Sequence, residues 1–148
     1  MTRPLGLALL GLAFLSGCIA VRENVVYAPG RVKYPGYRVE YVEATPAPGA
    51  LLQGGSETLF NVKVRYALQS QDKGKIVLYF RDKNGLPQLK GKEIWTGVSK
   101  GTGEASLSTE VVVPPNLFEL WLWVPIIPDG LKDHPEGYVK IRYLVAPQ

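Results

Sequence analysis

Residues 58–68 read Thr58-Leu59-Phe60-Asn61-Val62-Lys63-Val64-Arg65-Tyr66-Ala67-Leu68. Phe60, Val62, Val64, Tyr66 and Leu68 occupy every second position, with Asn61, Lys63 and Arg65 between them. Successive side chains of an extended strand point to opposite faces, so this segment has one apolar and one polar side. A helix would scatter the same residues around its axis. The period predicts a half-buried β-strand.

The same period returns on both sides of it. Tyr37–Glu43 is a strand, followed by a turn-rich stretch of Pro and Gly. Lys75–Arg81 places Ile76, Leu78 and Phe80 together, and Asp82-Lys83-Asn84-Gly85 then supplies Asn-Gly turn chemistry. Lys92–Val98 is a weaker strand around Trp95. Glu104–Val113 turns Ala105, Leu107, Thr109, Val111 and Val113 inward, and Pro114-Pro115 ends it, since proline offers no N–H to a ladder. Leu117–Ile127 groups Phe118, Leu120, Leu122, Val124 and Ile126; Gly137–Val145 groups Val139, Ile141, Tyr143 and Val145. Seven strands joined mainly by turns, with no helix between them, predict an all-β, antiparallel two-sheet sandwich, with a barrel as the competing fold. The pattern resembles immunoglobulin-like and fibronectin-III-like domains over about residues 37–146, although the cysteine pair of antibody domains is absent. The resemblance implies that strands lettered A to G in order split into A, B, E and D in one sheet and C, F and G in the other.

The 148 residues suffice for one domain. Side-chain charge is +4, from 17 Lys+Arg against 13 Asp+Glu, with no basic run of five or more. That mild excess argues against nucleic-acid binding. Cys18 is the only cysteine, so no disulfide staples the domain, and stability must come from buried apolar surface.

The N-terminus has its own logic. Arg3 and the free amine precede an apolar run from Leu5 to Leu15, well short of the roughly 20 residues a helix needs to span a bilayer. Leu15-Ser16-Gly17-Cys18 then follows. This resembles the lipobox of bacterial lipoproteins: a leucine, two small residues and the lipidated cysteine. The resemblance implies diacylglyceryl attachment at the Cys18 thiol and removal of residues 1–17, which would make residues 18–36 a tether, with room for a short strand at Val25–Tyr27, and 37–148 the anchored domain. Position 19 is Ile rather than the Asp that often retains such proteins at an inner membrane, which favours an outer membrane where the organism has two. An ordinary signal peptide or an uncleaved anchor are the plainer alternatives.

The sandwich assignment also sorts the outward faces. Asn61, Lys63 and Arg65 face Glu104, Ser106, Ser108 and Glu110, an ordinary solvated surface. The C-F-G face carries Val77, Tyr79, Arg81, Trp121, Trp123, Tyr138, Lys140 and Arg142. Tyr, Trp and Arg are enriched at interface hot spots, and flat rings also stack on sugars. Tyr79, Arg81, Trp121, Trp123, Tyr138, Lys140 and Arg142 are therefore the candidate binding face. The bland reading is that the protein's own residues 25–36 or 86–96 cover these rings.

Catalytic chemistry is poorly represented. His134 is the only histidine, no serine sits in a nucleophile elbow, and Ser99–Gly103 reads as a hairpin turn rather than a phosphate loop. Asp129, Asp133, His134 and Glu136 cluster in sequence without a metal-loop spacing. No cofactor or metal is expected. The expectation is a non-catalytic envelope lipoprotein binding another envelope protein, with a glycan-binding module as the alternative and a small hydrolase a distant third.

Overall fold

The computed structural model describes residues 23–29, 37–89, 92–130 and 137–148. The Leu15–Cys18 signal and the Asp133, His134 and Glu136 cluster lie outside the described residues. Seven strands form the body: β1 (Val25–Pro29), β2 (Tyr37–Thr45), β3 (Leu51–Gln53), β4 (Glu57–Arg81), β5 (Ile94–Val112), β6 (Glu119–Pro128) and β7 (Gly137–Ala146).

β4 and β5 organise the rest. They form one long antiparallel hairpin in register from Glu57↔Val112 to Leu78↔Ile94. The ladder shifts register once, between Leu68 and Lys73, and the hairpin bends there from one layer into the other. Gly74 sits just past that bend, where an added Cβ would lie 3.0 Å from the Ile127 carbonyl oxygen, so a larger residue would push β6 away by a few tenths of an ångström. The first layer is β2, residues 57–68 of β4 and residues 101–112 of β5. The second is residues 94–99 of β5, residues 73–81 of β4, then β6 and β7. β7 is flanked on its far side by β1 along Gly137–Ile141 and by β3, in parallel, along Leu144–Ala146.

The result is an all-β sandwich with immunoglobulin-like strand order. β1 and β2 end the hydrogen-bonded path without pairing with each other, so the array does not close into a barrel. Their seam is bridged by the Tyr27 hydroxyl, which accepts the Tyr41 N–H at 3.3 Å. Two sequence expectations need correction. Residues 94–98 lie in the layer of β4, β6 and β7, because a hairpin keeps a strand beside the one it turned back from. Phe118 does not face the core: β6 begins at Glu119, and Phe118 is 83% exposed in the preceding turn. The short strand allowed for at Val25–Tyr27 is present and extends to Pro29, paired with β7.

The interior follows the period of two. Phe60, Val62, Val64 and Leu68 from one layer meet Ile76, Leu78, Phe80, Leu120, Leu122, Val124, Ile126, Val139, Ile141 and Tyr143 from the other, all essentially inaccessible. Phe60 joins the layers through edge-on contacts with Phe80 and Tyr143, at 5.4 and 5.3 Å between centroids. The Tyr143 hydroxyl donates to the Pro46 carbonyl at 2.7 Å, which satisfies the one polar atom of that buried ring. On the solvent face of the first layer, Arg65 and Glu104 stand opposite one another and pair at 3.4 Å, while Lys63 turns to Glu43 on β2 at 3.5 Å.

Candidate functional site

The outer face of the second layer takes alternate residues from four strands. Cross-strand register sets Tyr79 beside Trp123 and Trp123 beside Lys140, then Arg81 beside Trp121 and Trp121 beside Arg142. Neighbouring strands bring their side chains within about 5 Å, so these rows must touch.

Their contacts form a ladder. Trp123 stacks on Tyr138 with centroids 5.0 Å apart and planes 12° apart, and on Tyr79 from the other neighbouring strand at 6.4 Å and 28°. The Lys140 ammonium lies 4.1 Å from the Trp123 ring centre, and the Arg81 guanidinium 4.5 Å from that of Tyr79. Both cations are also held by main chain: Arg81 donates to the Gly85 carbonyl at 2.8 Å and Lys140 to the Lys83 carbonyl at 3.4 Å. Desolvation lowers the Lys140 pKa, and burial raises that of the Tyr79 phenol against the opposing charge of Arg81.

A turn folds down onto this ladder. The Asp82 carboxylate accepts the N–H groups of Asn84 and Leu86 at 2.8 and 2.9 Å, shaping the Asn-Gly turn. The Asp82 carbonyl accepts the Trp123 indole N–H at 3.1 Å. Gly85 has φ +91°, and a Cβ there would already touch the Trp123 ring at 3.4 Å. Trp123 is accordingly buried, at 9% exposure. Its faces are occupied by neighbouring rings and a cation, and its polar edge by the turn.

The structure thus joins Tyr79, Arg81, Trp123, Tyr138 and Lys140 into one packed unit. Trp121 and Arg142 stand at its border instead. There the Gln88 carboxamide inserts beside β6, accepting the Trp121 main-chain N–H at 3.2 Å and donating to the Glu119 carbonyl at 3.3 Å. Arg142 Nε pairs with the Glu119 carboxylate at 2.7 Å. The Trp121 indole N–H is buried with no acceptor among the described residues. Beside these groups opens a groove of about 360 Å³ between the Asp82–Asn84 turn and Phe118. Phe118 is held by its backbone, whose carbonyl accepts the Val145 N–H at 2.9 Å, while its ring projects into solvent.

A second groove of about 320 Å³ lies at the opposite border, lined by Lys75, Glu93, Trp95 and Asp129. Trp95 is 59% exposed and directly opposite Val77. Trp95 and Phe118 are not among the residues expected on the candidate face. The signals for them were present: an aromatic on an edge strand, and an aromatic placed before the first ladder residue. Among the described residues, no three His, Cys, Asp or Glu side chains gather as a metal site would require.

Fold and face together define the class: an immunoglobulin-like β-sandwich with one aromatic sheet face, assigned from its own strand order. No family model matches the chain, and no curated protein matches it in sequence. Among solved structures it is similar to the CARDB domain of a Pyrococcus furiosus protein in complex with two metal ions, at 10% identity over 79% of this chain and 100% of that one, TM-score 0.46. It is also similar to a Niemann-Pick type C2 protein from Japanese carpenter ant, at 11% identity over 82% and 99%, TM-score 0.47. A third, the apo-form CBD1 domain of Calx, gives 13% identity over 75% and 98%, TM-score 0.39.

Proposed function

We propose that this chain is a lipid-anchored protein of the bacterial cell envelope whose sandwich is a non-catalytic module for docking another envelope protein. The anchor rests on Leu15-Ser16-Gly17-Cys18, with Cys18 as the lipidated residue and the outer membrane as its address where two membranes exist. Two or more acyl chains hold a protein stably at a bilayer.

The observation that carries the docking role is Phe118. Its ring is 83% exposed on a backbone fixed by β7, beside half-buried Trp121 and the Arg142–Glu119 pair. An aromatic anchor on a rigid frame, rimmed by a charged pair, is the composition of an interface hot spot. The partly exposed Leu144 extends the same apolar surface. The Asp82–Asn84 turn, tied to the ladder through Trp123, forms one wall of this groove, and the ladder itself does not line it.

The test places a photo-crosslinking amino acid at Phe118 and, separately, at Glu110 on the other layer, in the full-length protein expressed in its own cells. A discrete protein adduct from position 118 and none from 110, lost when Arg142→Ala is added, supports the reading. Identical adducts from both positions, or none from 118, refute it.

A further inference from the structure

We infer that the groove at the β5 edge of the second layer, between Trp95 and the Ile127–Gly130 turn, is a binding site for a neutral pyranose saccharide. This site lies apart from Phe118 and does not rest on the docking reading.

Four observations converge on it. First, Trp95 is the open indole of the molecule: 59% exposed, against 9% for Trp123. Lys75 lies 4.6 Å from its ring centre and props it as a wall of the groove. Second, the next outward position on β5 is Gly97, and a Cβ there would meet nothing within 4 Å. The surface beside the indole is thus an empty shelf rather than a packed one. Third, the Glu93 and Asp129 carboxylates line the same groove and make no hydrogen bond or ion pair with any described residue. On the neighbouring ladder, by contrast, Arg81 and Lys140 have partners, and at its border Glu119 and Arg142 pair with each other. Fourth, the Asp129 main chain is fixed, its N–H donating to the Lys73 carbonyl at 3.0 Å, so the turn that carries the carboxylate is pre-set.

The lining selects the ligand by charge and shape. A phosphate or other anion meets two unpaired carboxylates. A cationic peptide is drawn by the carboxylates but finds the cation position against the indole already taken by Lys75. A neutral polyol meets neither penalty. The C–H face of a pyranose ring matches an open indole, its hydroxyls donate to carboxylates, and the Lys75 ammonium can donate to a ring or hydroxyl oxygen. About 320 Å³ falls at the small end of ligand sites and suits one or two sugar rings, with the chain continuing into solvent at the open edge.

The experiment follows the Trp95 indole N–H resonance of the full-length chain in detergent micelles. Chitotetraose and cellotetraose are the neutral probes; trilysine and inorganic phosphate are the charged ones. One of the tetrasaccharides should move the Trp95 resonance and saturate, and Trp95→Ala should weaken its binding by about tenfold or more, the loss expected for one aromatic anchor. The pair Glu93→Gln and Asp129→Asn should weaken it severalfold without disturbing the fold, and Glu110→Gln on the other layer should leave it unchanged. The inference fails if neither tetrasaccharide moves the resonance. It fails equally if only trilysine or phosphate does so, or if Trp95→Ala binds like the parent chain. Crosslinking at Phe118 reads the docking groove independently, so failure at one site is distinguishable from failure at the other.

Discussion

Replacing Trp123 with alanine should cost about 3 kcal/mol of unfolding free energy. Trp123 is 9% exposed and stacks on Tyr138 at 5.0 Å; such an aromatic pair adds about 0.5–1.5 kcal/mol beyond burial. Its N–H bond to the Asp82 carbonyl contributes about 1 kcal/mol. The Lys140 ammonium above its ring adds about 0.5–1 kcal/mol, since that side chain is still partly hydrated. These terms overlap, and they agree with the roughly 3–5 kcal/mol typical of buried Trp→Ala changes. A face position can be refilled by water, which argues for the lower end. Trp123→Phe keeps the stack and drops the N–H bond, so it should cost about 1–1.5 kcal/mol. Urea unfolding followed by circular dichroism reads both, with the midpoint moving and the slope constant. A loss below about 1 kcal/mol for Trp123→Ala would show that the ladder is not a structural unit.

The turn over that ladder predicts its own sensitivity: Gly85→Ala should destabilise by about 1–2 kcal/mol, because φ +91° is strained for any residue with a Cβ. The same unfolding measurement checks it, and a neutral result would mean that the turn rearranges freely. Phe118→Ala should leave stability within about 0.5 kcal/mol, since its ring is already in water, while a larger loss would make Phe118 a packing residue. Burial raises the Tyr143 phenol well above its ordinary value of 10.0. The folded state therefore keeps that proton where the unfolded chain loses it, so stability is full below pH 10 and falls as pH rises beyond it. Tyr143→Phe should flatten that alkaline decline, with Tyr79 and Tyr41 leaving a smaller slope of the same sign. It should also cost about 1–2 kcal/mol at neutral pH by leaving the Pro46 carbonyl unpaired.

The inward faces were legible because burial enforces a period of two: Phe60 to Leu68, Ile76 to Phe80, Leu120 to Ile126 and Val139 to Val145 all point where the alternation places them. The continuity of β4 and β5 was not. A bend with a register shift looks like a turn in one dimension, so Gln69–Gly74 and Ser99–Gly103 read as breaks although the hairpin runs through both. The candidate face was legible as a set of residues sharing one side of a sheet. Which rings are open depends on a turn from elsewhere in the chain. Nothing within Trp121–Trp123 says that Asp82–Gly85 folds over them, and nothing in the weak alternation around Trp95 says that Gly97 leaves its flank empty. Phe118 was misplaced for a local reason: the period extrapolates one residue past the first ladder position of β6.

The sandwich supplies a stiff face with two bordering grooves, and the proposed anchor would hold both at a membrane. That anchor is the central claim, and Cys18 tests it most directly. Mass spectrometry of the protein extracted from membranes of its own cells should find Cys18 as the first residue, bearing a diacylglyceryl group, with residues 1–17 absent. A chain that retains residues 1–17, or one carrying an unmodified Cys18 thiol, would contradict the proposal.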